Sequence, residues 1–191
     1  MGVDKAQLKM GGVPMIEIAL RKLRSFCAVA SIAGNREDLA KLAEIVHETR
    51  TDAGPAAGIE AGLEAAKEPW ALFIPVDVPL VPAELLHRWC EEALGAGMTV
   101  SYLGVCGKQP AFCLLGRERS ATFRGMLNEG ERRLEPLLTR TAAADDVPSQ
   151  MYTERELYKL PDQRPDERTL EQWFMNVNTP EDLAKAERLA R

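Results

Sequence analysis

Along this chain, segments with helical spacing of apolar residues alternate with segments spaced as strands. After Pro14, which suits a first helical turn, Ile16, Ala19, Leu20 and Leu23 recur at i, i+3, i+4 and i+7 and predict an amphipathic helix. The small, β-branched run "CAVASIAG", closed by Gly34 and Asn35, predicts a buried strand feeding a loop. "REDLAKLAEIVHE" predicts a short helix running into a brief strand near Ile45 and Val46. A glycine-bearing loop then leads into a helix whose stripe is Ile59, Leu63 and Ala66. "WALFIPVDVP" is apolar on both faces from Trp70 to Ile74, as in a strand covered on both sides, and it stops at the prolines.

A second clear helix follows in "AELLHRWCEEAL", with Leu85, Leu86, Trp89, Cys90 and Ala93 opposite Glu84, Arg88 and Glu91. "MTVSYLGV" and "PAFCLLG" predict two strands separated by a turn at Gly107 and Lys108, and "RERSATFRGMLNEGERRLEPLLTR" predicts two short helices meeting at Gly130. Thr141 to Thr169 is polar and proline-punctuated, which predicts an irregular excursion with room for one short strand. "QWFMNVNTPEDLAKAERLA" predicts a short strand and then a helix with Thr179 as N-cap, Pro180 at its first position and acids in its first turn. This alternation predicts an α/β fold: a three-layer α/β/α sandwich with a mostly parallel sheet and right-handed crossovers.

Composition narrows the reading. The 191 residues, 21.1 kDa, predict one domain over 1–191. A net charge of −5 and a pI near 5.2 argue against a nucleic-acid surface, because binding along a duplex needs a basic face. Neither a long apolar run nor a charged, apolar, small-residue leader is found, so no membrane span and a cytoplasmic location are predicted. Cys27, Cys90, Cys106 and Cys113 form no C-x-x-C pair and are read as buried free thiols rather than a zinc site. His47 and His87 are too few for a histidine-rich metal centre, and no G-x-S-x-G marks a nucleophile elbow.

In open α/β sheets, ligands collect beyond the carboxyl ends of the strands. Asp77, between Pro75 and Pro79, ends the strongest strand, where a carboxylate suits a hard divalent cation; taken alone, a turn aspartate bonding nearby amides is the plainer reading. Asn176 and Asn178, two apart, put both amides on one face, and asparagines preceding a capped helix explain them equally well. In "DAGPAAGI", Gly54 and Gly58 permit close backbone approach at a helix start, as an anion or a base edge requires, although a plain strand-to-helix turn has the same look. In "GERR", Arg132 and Arg133 could grip a phosphate, while a solvated helix face is the usual explanation.

Taken in order, "MGVDKAQL", "GPAAGI", "PVDVPLVP", "NEGERR" and "FMNVNTPEDL" resemble the molybdenum cofactor guanylyltransferase family, whose members attach GMP to molybdopterin. The resemblance runs from Met1 to the C-terminal helix, with Thr141 to Thr169 its least matched part. It implies a Rossmann-like nucleotidyltransferase fold using GTP, molybdopterin (molybdenum cofactor) and Mg²⁺, with cofactor-biosynthesis proteins and molybdoenzymes as further partners. By the same resemblance, Lys5 contacts the nucleotide's phosphates, Asp77 and Asn178 hold the metal, and Lys5 and Asp77 are catalytic. Glu48, Gly54 and Gly58 recognise the nucleotide, and Arg132, Arg133, Asn176 and Asn178 face the pterin. Family members carry a strand and a Leu-Ala-Gly-Gly type loop before the matched terminal motif, so "MGVDK" is read as the downstream half of a phosphate loop. Cytidylyl or other nucleotidyl transfer on the same scaffold, and a non-catalytic pterin- or nucleotide-binding module, are the alternatives.

Overall fold

The computed structural model describes residues 5–107, 109–144, 146–158 and 165–190. A 3₁₀ turn at Lys5–Gln7 leads into a small antiparallel ribbon, β1 (Lys9–Met10) and β2 (Val13–Pro14), and then α1 (Met15–Arg24). Next come β3 (Ile32–Ala33), β4 (Ile45–Val46), α2 (Pro55–Ala65), β5 (Trp70–Phe73), α3 (Ala83–Gly95), β6 (Val100–Leu103) and β7 (Gln109–Gly116). The chain closes with α4 (Ser120–Asn128), α5 (Leu134–Ala144), β8 (Ser149–Tyr152), α6 (Glu154–Leu157), α7 (Glu167–Trp173) and α8 (Pro180–Leu189).

The main sheet has the order β5-β7-β6-β8, and β3 pairs with β4 in a separate parallel ribbon. Alternation along β6 and β7 divides their side chains between two cores. Leu103, Phe112 and Leu114 face α3, α6 and α7, while Val100, Tyr102, Cys113 and Leu115 face α2, α4 and α5. The result is the three-layer α/β arrangement. The described sheet is mixed rather than mostly parallel: β7 runs antiparallel to both β5 and β6, and β8 parallel to β6. The short turn after β6, with Cys106 at φ 49° and Gly107 at φ 93°, can join only antiparallel neighbours. Trp89 of α3 is wholly buried and its indole N–H donates to the buried Ser101 hydroxyl at 2.9 Å. An unpartnered donor there would cost about 1–3 kcal/mol.

Several local expectations change. The excursion from 141 to 169 supplies the end of α5, then β8, a structural strand of the main sheet, and α6. Where a strand was expected before α8, α7 runs through Trp173, and Met175 to Asn178 is extended without strand pairing, although the Val177 N–H donates to the Asp77 carbonyl at 2.8 Å. "CAVASIAG" forms a strand only at Ile32–Ala33, and Val29 is 61% exposed. All four residues of β5 are half-buried rather than covered. Cys90 and Cys113 are buried as expected, but Cys106 is exposed on its tight turn. The predicted turn residue Lys108 lies outside the described residues.

Candidate functional site

Three side chains far apart in sequence meet beyond the end of β5. Ile74 and Pro75 lead out of the sheet to a turn at Val76 and Asp77, and the Val177 bond to the Asp77 carbonyl draws the segment before α8 alongside. Asn178 is fixed from the other direction by the N-terminus of α8. There, Asp182 accepts from the amides of Asn178 at 3.0 Å and Thr179 at 2.9 Å, and its own amide donates to the Thr179 hydroxyl at 3.1 Å. These bonds hold the Asp182 carboxyl below its ordinary range. Lys5 Nζ then donates to Asp77 Oδ2 at 2.9 Å and to Asn178 Oδ1. With the Lys5 and Asp77 side chains 46% and 24% exposed, the pair adds little stability; its consequence is placement.

A second set of groups gathers at the start of α2. Gly54 turns the chain at φ +52°, and the amides of Ala56 and Ala57 close the first turn onto Ala53 and Gly54. Gly58 is closely approached: a Cβ there would lie 3.0 Å from Glu48 Oε1 and 3.3 Å from the Ala33 Cβ, so those neighbours would have to give by a few tenths of an ångström. The Glu48 carboxylate therefore lies over this turn, and desolvation raises its proton affinity. Arg132 reaches the same turn, donating to Asp52 at 3.2 Å and to the carbonyls of Leu127 and Glu131 at 2.6 and 2.9 Å.

The sequence matches the family described as the MobA-like NTP transferase domain over residues 1–160. The chain belongs to that family. The molybdenum cofactor guanylyltransferase of Cupriavidus metallidurans is 32% identical over 70% of this chain and 71% of its own length. That of Polynucleobacter asymbioticus is 28% identical over 95% and 86%. Among solved structures, molybdopterin-guanine dinucleotide biosynthesis protein A from Archaeoglobus fulgidus superposes with a TM-score of 0.74 at 22% identity, over 99% of this chain and 91% of that one. At that identity the superposition speaks for the fold.

In this MobA-like domain, then, the predicted residues fall into separate groups. Lys5, Asp77 and Asn178 form one, and Glu48, Gly54, Gly58 and Arg132 another. Asn176 stands on the rim of a cavity of about 660 Å³ lined by Cys106, Glu154, Glu167, Glu171 and Phe174. Arg133 pairs with Glu131, whose carboxylate also takes the amides of Arg132 and Arg133 and is held down to about 2 by these bonds. Neither arginine is therefore brought to Asn176 or Asn178: the turn between α4 and α5 occupies both. Residues 1–4 of the terminal motif lie outside the described residues.

Two supporting groups escaped the sequence reading. Glu60, 4% exposed on α2, accepts from Arg50 at 2.6 and 3.0 Å, and Arg50 also donates to Asn128. A carboxylate amid the alanines and glycines of α2 was the available signal. Lys22 donates to the Pro79 carbonyl behind Asp77, and burial pushes its ammonium down to about 8. It steadies the chain just after the site carboxylate.

Proposed function

We propose that this MobA-like transferase moves GMP from GTP to molybdopterin, the molybdenum cofactor, and releases pyrophosphate. The observation that carries the reading is the convergence of Lys5, Asp77 and Asn178 beyond the end of β5. Relatives named as molybdenum cofactor guanylyltransferases support the choice of substrates.

The chemistry needs no strong base, because the acceptor is already an anion. A terminal phosphate oxygen of molybdopterin forms a bond to the α-phosphorus of GTP as the bond from that phosphorus to the β-phosphate bridging oxygen breaks, and the electron pair leaves on pyrophosphate. Lys5 offers positive charge to the phosphates, and the Gly54–Gly58 turn with the Glu48 carboxylate reads the nucleotide. Asp77 Oδ2 and Asn178 Oδ1 already share one cation, the Lys5 ammonium, so their oxygens fit a hard divalent ion. Mg²⁺ commonly takes one or two protein ligands and completes its shell with substrate oxygens and water, a role Asp77 and Asn178 would fill. When bound, Mg²⁺ would neutralise charge on the phosphates. Asn176, two residues before Asn178, would face the acceptor. Four free thiols suit a reducing compartment and support a cytoplasmic site of action.

Thermal unfolding with GTP, CTP and ATP, each with and without Mg²⁺, tests the reading. A ligand at ~100 times its dissociation constant adds about 2.7 kcal/mol, and the expected result is a raised midpoint with GTP and Mg²⁺ alone. A rise with CTP alone would instead assign cytidylyl transfer. Binding without pyrophosphate release would leave a non-catalytic binding module.

A further inference from the structure

The loop that carries Glu48 from β4 to α2 is held by side chains. Among the described residues no hydrogen bond between main-chain groups reaches residues 47–52, and no group donates to the Glu48 carboxylate. The place of that carboxylate over Gly58 is therefore inherited from the chain around it. Asn35 Nδ2 donates to the Glu48 carbonyl at 3.2 Å. Farther along the loop, Arg50 donates Nε and Nη2 to the two oxygens of Glu60 at 2.6 and 3.0 Å, and Nη2 also to Asn128 at the end of α4. The two loop contacts keep step with the helix: Glu48 lies on Gly58, and Arg50, two residues on, grips Glu60, two residues on.

Stability alone does not account for the pair. Glu60 is buried on a helix whose other buried residues are alanines, Gly58, Ile59 and Leu63. Desolvating a carboxylate and a guanidinium there costs about what their attraction returns, and apolar side chains of the same volume serve a core as well. What apolar side chains lack is direction. A planar guanidinium forked on both carboxylate oxygens fixes the distance and the orientation of the loop on the helix. The neighbouring bond from Arg132 to Asp52 joins side chains that are 34% and 70% exposed, so it constrains the loop far less. We propose that Arg50 and Glu60 are positioning residues of the nucleotide site: their forked bond sets the register of residues 47–54 on α2 and so holds the Glu48 carboxylate over the Gly58 turn. On the reading that Glu48 and this turn bind the nucleotide, on which the role rests, the pair acts on affinity rather than on the transfer step.

Two kinds of measurement on the whole chain separate the role of the pair from that reading. Calorimetric titration with GTP and Mg²⁺, with KM and kcat for pyrophosphate release, reads the site. The pH titration of the Glu48 carboxyl by NMR reads the loop without any ligand. Arg50→Met combined with Glu60→Leu removes the pair with no change in net charge and fills its place with apolar volume. This variant should keep the wild-type unfolding midpoint, bind GTP about tenfold more weakly, and show KM raised to match with kcat within about twofold. Its Glu48 titration, raised by desolvation in the wild type, should return to the ordinary carboxylate range as the loop leaves the turn. Arg50→Lys keeps the charge without the fork and should move both readouts the same way, and it carries the test if the double variant does not fold. An unchanged Glu48 titration in a folded variant overturns the proposal whatever the affinity does, and so does a fall in kcat with KM unchanged. If the wild type binds no GTP and removing the pair still returns Glu48 to the ordinary range, the hold on the loop is upheld and the nucleotide reading alone fails.

Discussion

β5 and β6 are strands of equal length in the same sheet, each four residues, and they differ in what surrounds them. All four residues of β6 are buried between β7 and β8, with helices above and below. All four residues of β5, although every one is apolar, remain half-exposed on a cleft. The site lies on the open side: Asp77 follows β5, Glu48 follows β4, and Gly58 lies against the end of β3. The closed half carries the packing, and the open half carries the groups proposed to act.

Substitution can break that division. Phe112→Ala, on the closed wall and 1% exposed, should cost about 3–5 kcal/mol in urea unfolding, whereas Leu72→Ala at the half-buried edge should cost well under half as much. Equal losses would mean that the two walls are energetically alike. Asp77→Asn should lower kcat for pyrophosphate release by about 10²–10³-fold and leave the unfolding midpoint nearly unchanged, the reverse of the Phe112 pattern. Gly58→Ala falls between them. Its methyl meets the movable end of Glu48 and the Ala33 Cβ, and alanine's gain of about 1 kcal/mol over glycine in a helix offsets that crowding, so stability should change by less than about 1 kcal/mol while nucleotide affinity falls in calorimetric titration.

The smallest effect belongs to the α4–α5 turn. Glu131 is held from its ordinary 4.5 down to about 2 by Arg133 and the amides of Arg132 and Arg133. A depressed carboxyl contributes stability that is fully present above its unfolded value and fades as pH falls toward the folded one. The difference between wild type and Glu131→Gln in urea should therefore be constant above pH 5 and shrink between about pH 4.5 and 2. A difference independent of pH would remove the carboxylate from that role.

Helix boundaries were largely legible because caps and apolar periods are local. Thr179 and Pro180 start α8, and Gly130 at φ +95° separates α4 from α5. The "PVDVP" strand end pointed to Asp77 for the same reason: two prolines and an apolar run mark a strand's exit whatever lies beside it. The apolar pattern also determined that β5 has the composition of a covered strand. It could not say that one edge stands open, because edge or centre depends on which other strands arrive.

Likewise, nothing near Arg132 indicates that it binds the Asp52 turn 80 residues away, nor does the local sequence announce that Lys5 lies on Asp77 and Asn178. By itself the sequence determined most of the helices, the family and the residue types proposed for the chemistry, since these follow from short-range pattern and order. Only the tertiary structure decided which of those residues share a cation, which arginine is engaged elsewhere, and where the sheet is left unpaired, because each of these depends on distances between chain segments that no local spacing encodes.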